Sequence, residues 1–74
     1  MKKIEEILES IKPGVDFKKE EDLIADGILT SFDIVTLIAK LTEEFDIEIT
    51  VKDIIPENFA SLKTITKLVE SKED

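Results

Sequence analysis

No cysteine and no histidine stands anywhere in the 74 residues, so this chain must hold its fold by packing alone. That absence removes disulfides, thiolate metal sites and imidazole ligands or bases. Below about 70–80 residues a core without such staples supplies only about 3–5 kcal/mol. What remains to pack is aliphatic: twelve Ile, seven Leu and four Val against four Phe, with no Trp or Tyr. The length gives room for a single domain, 1–74, and for no second core. The opening Met1-Lys2-Lys3-Ile4-Glu5-Glu6 puts acids where a signal peptide needs an apolar run. No stretch approaches the roughly 18 apolar residues of a membrane span, so a cytoplasmic, monomeric protein without a membrane span is expected.

The apolar residues are spaced for helices. Ile4, Ile7, Leu8 and Ile11 fall at i, i+3, i+4 and i+7, with Glu5, Glu6 and Glu9 between them, and Pro13-Gly14 ends the pattern. Residues 13–30 form a long connection in which Val15, Phe17, Leu23, Ile24, Ile28 and Leu29 follow no steady period. Connections of this length tend to be functional, and six apolar residues predict that this one packs onto the core. A second helix is predicted over 31–45. Thr50-Val51-Lys52-Asp53 has the capping-box pattern of a short third helix closed by Pro56, and Ser61 opens a fourth with Leu62, Ile65, Leu68 and Val69 on one face. Phe45–Thr50 alternates like a strand, but a lone strand has no partner, so an extended loop is expected. The predicted fold is all-α: a small four-helix bundle with a long loop between helices 1 and 2 and a short third helix.

Charge narrows the partners. The net charge is −8, and no basic cluster is present to meet phosphates, which argues against nucleic acid. Residues 20–58 hold eleven acids and two lysines, while the remainder holds seven acids and eight lysines, so the imbalance is confined to the middle. Such a surface either aids solubility or steers the chain toward basic partners.

On a wheel of about 100° per residue, the 31–45 helix has two apolar strips. Ile34, Leu37, Ile38, Leu41 and Phe45 form the broad core face, with Asp33, Thr36, Lys40, Glu43 and Glu44 opposite. Phe32, Val35 and Ala39 form a second strip beyond one flank. A helix that needed only to fold would not require it. The strip either packs under the 13–30 connection or, as we read it, forms a docking patch beside Ser31.

Asp26-Gly27-Ile28-Leu29-Thr30-Ser31-Phe32-Asp33 leads into this helix. Asp-Gly is a hairpin signal, but neither flank alternates. A calcium loop using Asp22 and Asp26 fails because Ile24 between them offers no ligand oxygen and the downstream Glu is missing. Serine at a helix start is ordinarily a cap. Here Thr30 is placed to cap instead, with Asp33 completing a box, so Ser31 is not needed for that role.

The run Asp-Gly-x-Leu-x-Ser-Phe-Asp resembles the phosphopantetheine attachment motif of acyl carrier proteins, shared by peptidyl and D-alanyl carrier domains. The resemblance extends over essentially the whole chain, from the long first loop to the closing helix at Phe59-Ala60-Ser61-Leu62. It implies that a phosphopantetheinyl transferase moves 4'-phosphopantetheine from coenzyme A onto Ser31, within a motif of Asp26, Gly27, Leu29, Thr30, Phe32 and Asp33. The arm's thiol would then carry a fatty acyl, polyketide, aminoacyl or D-alanyl group as a thioester for partner enzymes. Loading and transferring enzymes with basic docking surfaces would meet Phe32, Asp33, Val35, Thr36, Ala39 and Glu43. Two positions depart from the family. Thr30 stands where Asp usually precedes the serine, and Thr36 where fatty-acid carriers often have Glu. Both shift the expectation toward a dedicated carrier working with one adenylating or transferring enzyme.

Rival readings are weaker. Ser31 has no imidazole base, and Lys40 lies nine residues along and most of the way round the helix, a poor geometry for a Ser–Lys pair. Paired carboxylates would need a cleft that a bundle this small has little volume to form. No enzymatic activity is therefore expected. The remaining alternative is an unmodified acidic interaction module.

Overall fold

The computed structural model describes residues 2–73; Met1 and Asp74, the ends of the expected domain, lie outside them. Three α-helices carry the fold: α1 over Lys2–Ile11, α2 over Ser31–Phe45 and α3 over Leu62–Glu73. Each forms where the apolar spacing places one face toward the others. Ile4, Ile7 and Leu8 of α1, Ile34, Leu37 and Leu41 of α2, and Leu62, Ile65, Leu68 and Val69 of α3 are buried in one cluster. Ile11, Ile38 and Phe45, expected on core faces, sit half-buried at its edge. None of the described helices is long and apolar enough to cross a membrane.

Helices α1 and α2 run antiparallel, and ion pairs join them at both ends. Lys3 Nζ lies 3.7 Å from Glu44 Oε1, and Lys12 Nζ lies 3.2 Å from Asp33 Oδ2. The connection between them packs inward, as its six apolar residues predict. Phe17, Leu23 and Leu29 are each no more than 3% exposed. Leu23 holds the connection in place with its backbone: its N–H donates to Ala60 O at 2.6 Å, and its carbonyl accepts from Ile28 and Leu29 at 2.9 and 3.0 Å. At α3, Ser61 Oγ accepts from the Thr64 N–H at 3.3 Å while Thr64 Oγ1 accepts from the Ser61 N–H at 3.1 Å. Ser61 therefore opens this helix as expected, and Ile47–Thr50 is extended without strand pairing.

The four-helix bundle expected from the sequence requires correction. In place of a short third α-helix, two single 3-10 turns cover Val51–Asp53 and Pro56–Phe59. Their bonds span three residues, from Ile54 N–H to Val51 O at 3.1 Å and from Asn58 N–H to Ile55 O at 3.0 Å. Pro56 explains the break. Its ring disfavours helical geometry at the preceding residue and it has no N–H to extend a ladder, and Ile55 is accordingly extended at φ −125°, ψ 150°.

Candidate functional site

The start of α2 is built by Thr30, Asp33 and Lys12. Thr30 is the cap residue, with φ −92° and ψ 173°, and its Oγ1 accepts from the Asp33 N–H at 3.2 Å. In return Asp33 Oδ2 accepts from the Thr30 N–H and from the Thr30 hydroxyl, both at 3.0 Å. The Lys12 ammonium completes the set around that one oxygen. The Thr30 N–H, followed by its hydroxyl and Lys12, holds the Asp33 carboxyl below the usual carboxylate range, although partial burial pushes the other way. Ser31, freed from capping, is exposed at the first position of the helix.

The loop that delivers Ser31 turns at Gly27, where φ is +74°, a left-handed value that glycine adopts at little cost. Asp22 Oδ1 accepts from the Ala25 N–H at 3.0 Å, and Gly27 N–H donates to Ile24 O at 3.0 Å, so Asp22 acts as a turn former. Asp26 is exposed, while Leu29 is buried and anchors the residues just before Thr30. Within the same loop, burial and the neighbouring Asp26 and Asp16 carboxylates push the Glu20 carboxyl up.

Phe32 and Val35 are 78% and 65% exposed, and Ala39 is exposed beside them. The strip thus lies open on the outer flank of α2 and not under the long connection. Of the other residues expected to dock partners, Thr36 is half-buried and its hydroxyl donates to Phe32 O at 3.2 Å. Glu43 is exposed but lines a charged recess with Lys3, Glu6 and Lys40 on the α1 side. Asp33 is already engaged by Thr30 and Lys12.

An apolar groove of about 500 Å³ opens beside Ser31. Ile34, Val35 and Ile38 form its α2 wall, and Ile54, Ile55 and Pro56 face them from the 3-10 segment.

Aminoacyl carrier protein 1 of Bradyrhizobium diazoefficiens is 36% identical to this chain over 69 residues, covering 93% of the chain and 76% of that protein. The chain belongs to the acyl carrier protein family. No protein-family model and no solved structure matches it.

In this acyl carrier protein an acid within the helix reaches back to the residue before Ser31. Thr30 occupies the position before Ser31, and the carboxylate of Asp33 folds back onto Thr30, so negative charge returns to that position from within the helix. The sequence reading placed Ser31 at a helix start outside the cap, the cap at Thr30 and Asp33, and the strip of Phe32, Val35 and Ala39 off the core, and the structure has all three so. It missed Lys12, which follows α1 with no local pattern to mark it. It also missed the groove wall at Ile54 and Ile55 and the 85% exposed Val51. The Ile54-Ile55-Pro56 run, too short and too apolar for a surface turn, was the available signal.

Proposed function

We propose that this chain carries an aminoacyl group as a thioester on a 4'-phosphopantetheine arm esterified to Ser31, and presents it to partner enzymes without catalysing a reaction itself. The observation that carries the reading is the division of labour at the start of α2: Thr30 and Asp33 form the cap, and Ser31 is left exposed. The fit of a phosphodiester to this position is supported by the same geometry. The Asp33 N–H is taken by Thr30 Oγ1 and the Ile34 N–H by Thr30 O. The N–H groups of Ser31 and Phe32 thus remain as donors at the positive end of the helix dipole. In loading, Ser31 Oγ forms a bond to the phosphorus of coenzyme A nearest the pantetheine. The anhydride bond to the nucleotide breaks, adenosine 3',5'-bisphosphate leaves, and the serine proton passes to the transferase. When bound, the arm supplies the thiol that holds the cargo.

The aminoacyl cargo is supported by the name of the relative and by Thr36, which stands where fatty-acid carriers often have Glu. Partners would be a phosphopantetheinyl transferase and a loading enzyme with a basic, apolar-tipped docking surface, meeting Phe32, Val35 and Ala39 with Thr36, Glu43 and the acidic middle of the chain around them.

Intact-mass measurement after incubation with coenzyme A and a broad-specificity phosphopantetheinyl transferase tests the assignment. A gain of one phosphopantetheine in the wild-type chain and none in Ser31→Ala is expected. No gain with several transferases, or an equal gain in Ser31→Ala, eliminates it in favour of an unmodified interaction module. The mass of the group carried after expression in the native host then tests the cargo, and a fatty acyl mass would overturn the aminoacyl assignment.

A further inference from the structure

Resting on the carrier reading, we infer that Lys12 is a positioning residue for reactions at Ser31, acting through Asp33. Residues 12–30 separate the end of α1 from the start of α2, and a connection of that length does not by itself fix the two ends against each other. Beyond the shared core, Lys12 adds a direct link at this end. Its N–H donates to Leu8 O at 2.8 Å, so it lies at the carboxyl end of α1, where the helix dipole favours a cation. Asp33 lies in the first turn of α2, where the dipole favours an anion. Their ion pair spans the junction at 3.2 Å, and the Asp33 side chain is only 13% exposed. The pair at the other end of the two helices, Lys3–Glu44, is longer and has both side chains about half exposed.

The consequence for Ser31 is twofold. The same Asp33 oxygen that meets Lys12 also receives the Thr30 N–H and hydroxyl, so Lys12 fixes the cap that keeps Ser31 out of the capping role. Esterification of Ser31 also brings a phosphodiester anion within two residues of the Asp33 carboxylate. Lys12 offsets that repulsion in advance with a full positive charge, adding to the partial charge of the free Ser31 and Phe32 N–H groups.

The test compares rates of phosphopantetheine transfer, followed by intact mass, in the wild-type chain, Lys12→Met, Lys12→Arg, Asp33→Asn and the double variant Lys12→Met/Asp33→Asn. Lys72→Met, which removes the other ion pair of this kind, between the first 3-10 turn and α3, serves as the control for general destabilisation, and circular dichroism confirms that each variant is folded. Lys12→Met is expected to load about fivefold more slowly, matching roughly 1 kcal/mol of charge placement at a helix end. Lys12→Arg should restore the rate, Lys72→Met should leave it unchanged, and the double variant should load no more slowly than Asp33→Asn alone. Wild-type loading in Lys12→Met, failure of Lys12→Arg to restore it, or equal slowing by Lys72→Met would overturn the inference. If the wild-type chain gains no mass, the carrier reading falls separately. Amide exchange of Asp33 in the unmodified protein tests the structural half on its own: faster exchange in Lys12→Met supports Lys12 as the residue that fixes the cap, and unchanged exchange overturns the inference.

Discussion

Asp53 Oδ2 lies 2.6 Å from Lys72 Nζ, tying the first 3-10 turn to the end of α3. The same carboxylate oxygen accepts from the Thr50 N–H at 2.9 Å and the Thr50 hydroxyl at 3.0 Å, so Thr50-Asp53-Lys72 repeats the arrangement of Thr30-Asp33-Lys12. Lys72 first, then Thr50, holds the Asp53 carboxyl below the usual carboxylate range.

Both aspartates make stability depend on pH in the same direction. A carboxylate with a lowered folded-state pKa contributes fully above its unfolded value of about 4, and that contribution is lost as pH falls through the lowered value. Glu20 opposes them. Its pKa is raised, so the folded state gains as pH falls from neutral toward the ordinary glutamate range. The thermal midpoint should therefore rise slightly from neutral pH to about pH 5 and drop below about pH 4. Melting curves across this range, repeated in Asp33→Asn and Asp53→Asn, should show a shallower acid limb in each variant. An acid limb unchanged in both variants would remove these two carboxylates from the account.

Val35→Asp places a charge on the open flank of α2, at a side chain 65% exposed. Stability should change by no more than about 0.5 kcal/mol. Loading by the cognate enzyme should slow by about tenfold, the effect of losing one well-placed apolar contact at an interface. Chemical denaturation and single-turnover loading separate the two, and a variant that loads at the wild-type rate would remove Val35 from the docking surface.

Phe17→Ala should unfold the protein. Phe17 is 1% exposed, and truncating a buried Phe costs about 3–5 kcal/mol, comparable with the whole stability expected of an unstapled chain of this length. Loss of dispersed amide signals in a proton–nitrogen NMR spectrum is the expected result. Val51→Ala, at a side chain 85% exposed, should keep them.

Gly27→Ala isolates the cost of the turn before Ser31. An added methyl meets nothing within 4 Å, so the penalty comes from the backbone at φ +74° alone, about 1–2 kcal/mol. For a chain of this size each kcal/mol lowers the melting temperature by about 4–8 °C. A melting temperature equal to that of the wild type would mean that the loop accommodates alanine by changing its turn.

The helices were legible because each buries one face, and a face leaves a period in the sequence. Ile4 to Ile11, Ile34 to Phe45 and Leu62 to Val69 all show it. The cap at Thr30 was legible too, since its partner is three residues away. What could not be read was contact across distance. Lys12 and Asp33 lie twenty-one residues apart and Asp53 and Lys72 nineteen, with nothing local to link them. Phe59, among the largest fully buried side chains, sits outside the three α-helices, where spacing does not say which way a side chain points. The short third helix was misread for a related reason. A capping-box pattern marks where a helix can begin, but Pro56 decides how far it can run.

The 3-10 segment has a mechanical consequence for the groove it borders. One wall belongs to α2, braced at both ends against α1, whereas Ile54 and Ile55 of the opposite wall lie between two single 3-10 turns, just beyond the Asp53–Lys72 tie. Ile54 and Ile55 are also partly exposed, so little packing resists their displacement. The two walls therefore differ in stiffness, and a guest widening the crevice would push aside Ile54 and Ile55 while Ser31 stays in register. The start of α2 is insulated from whatever the crevice holds.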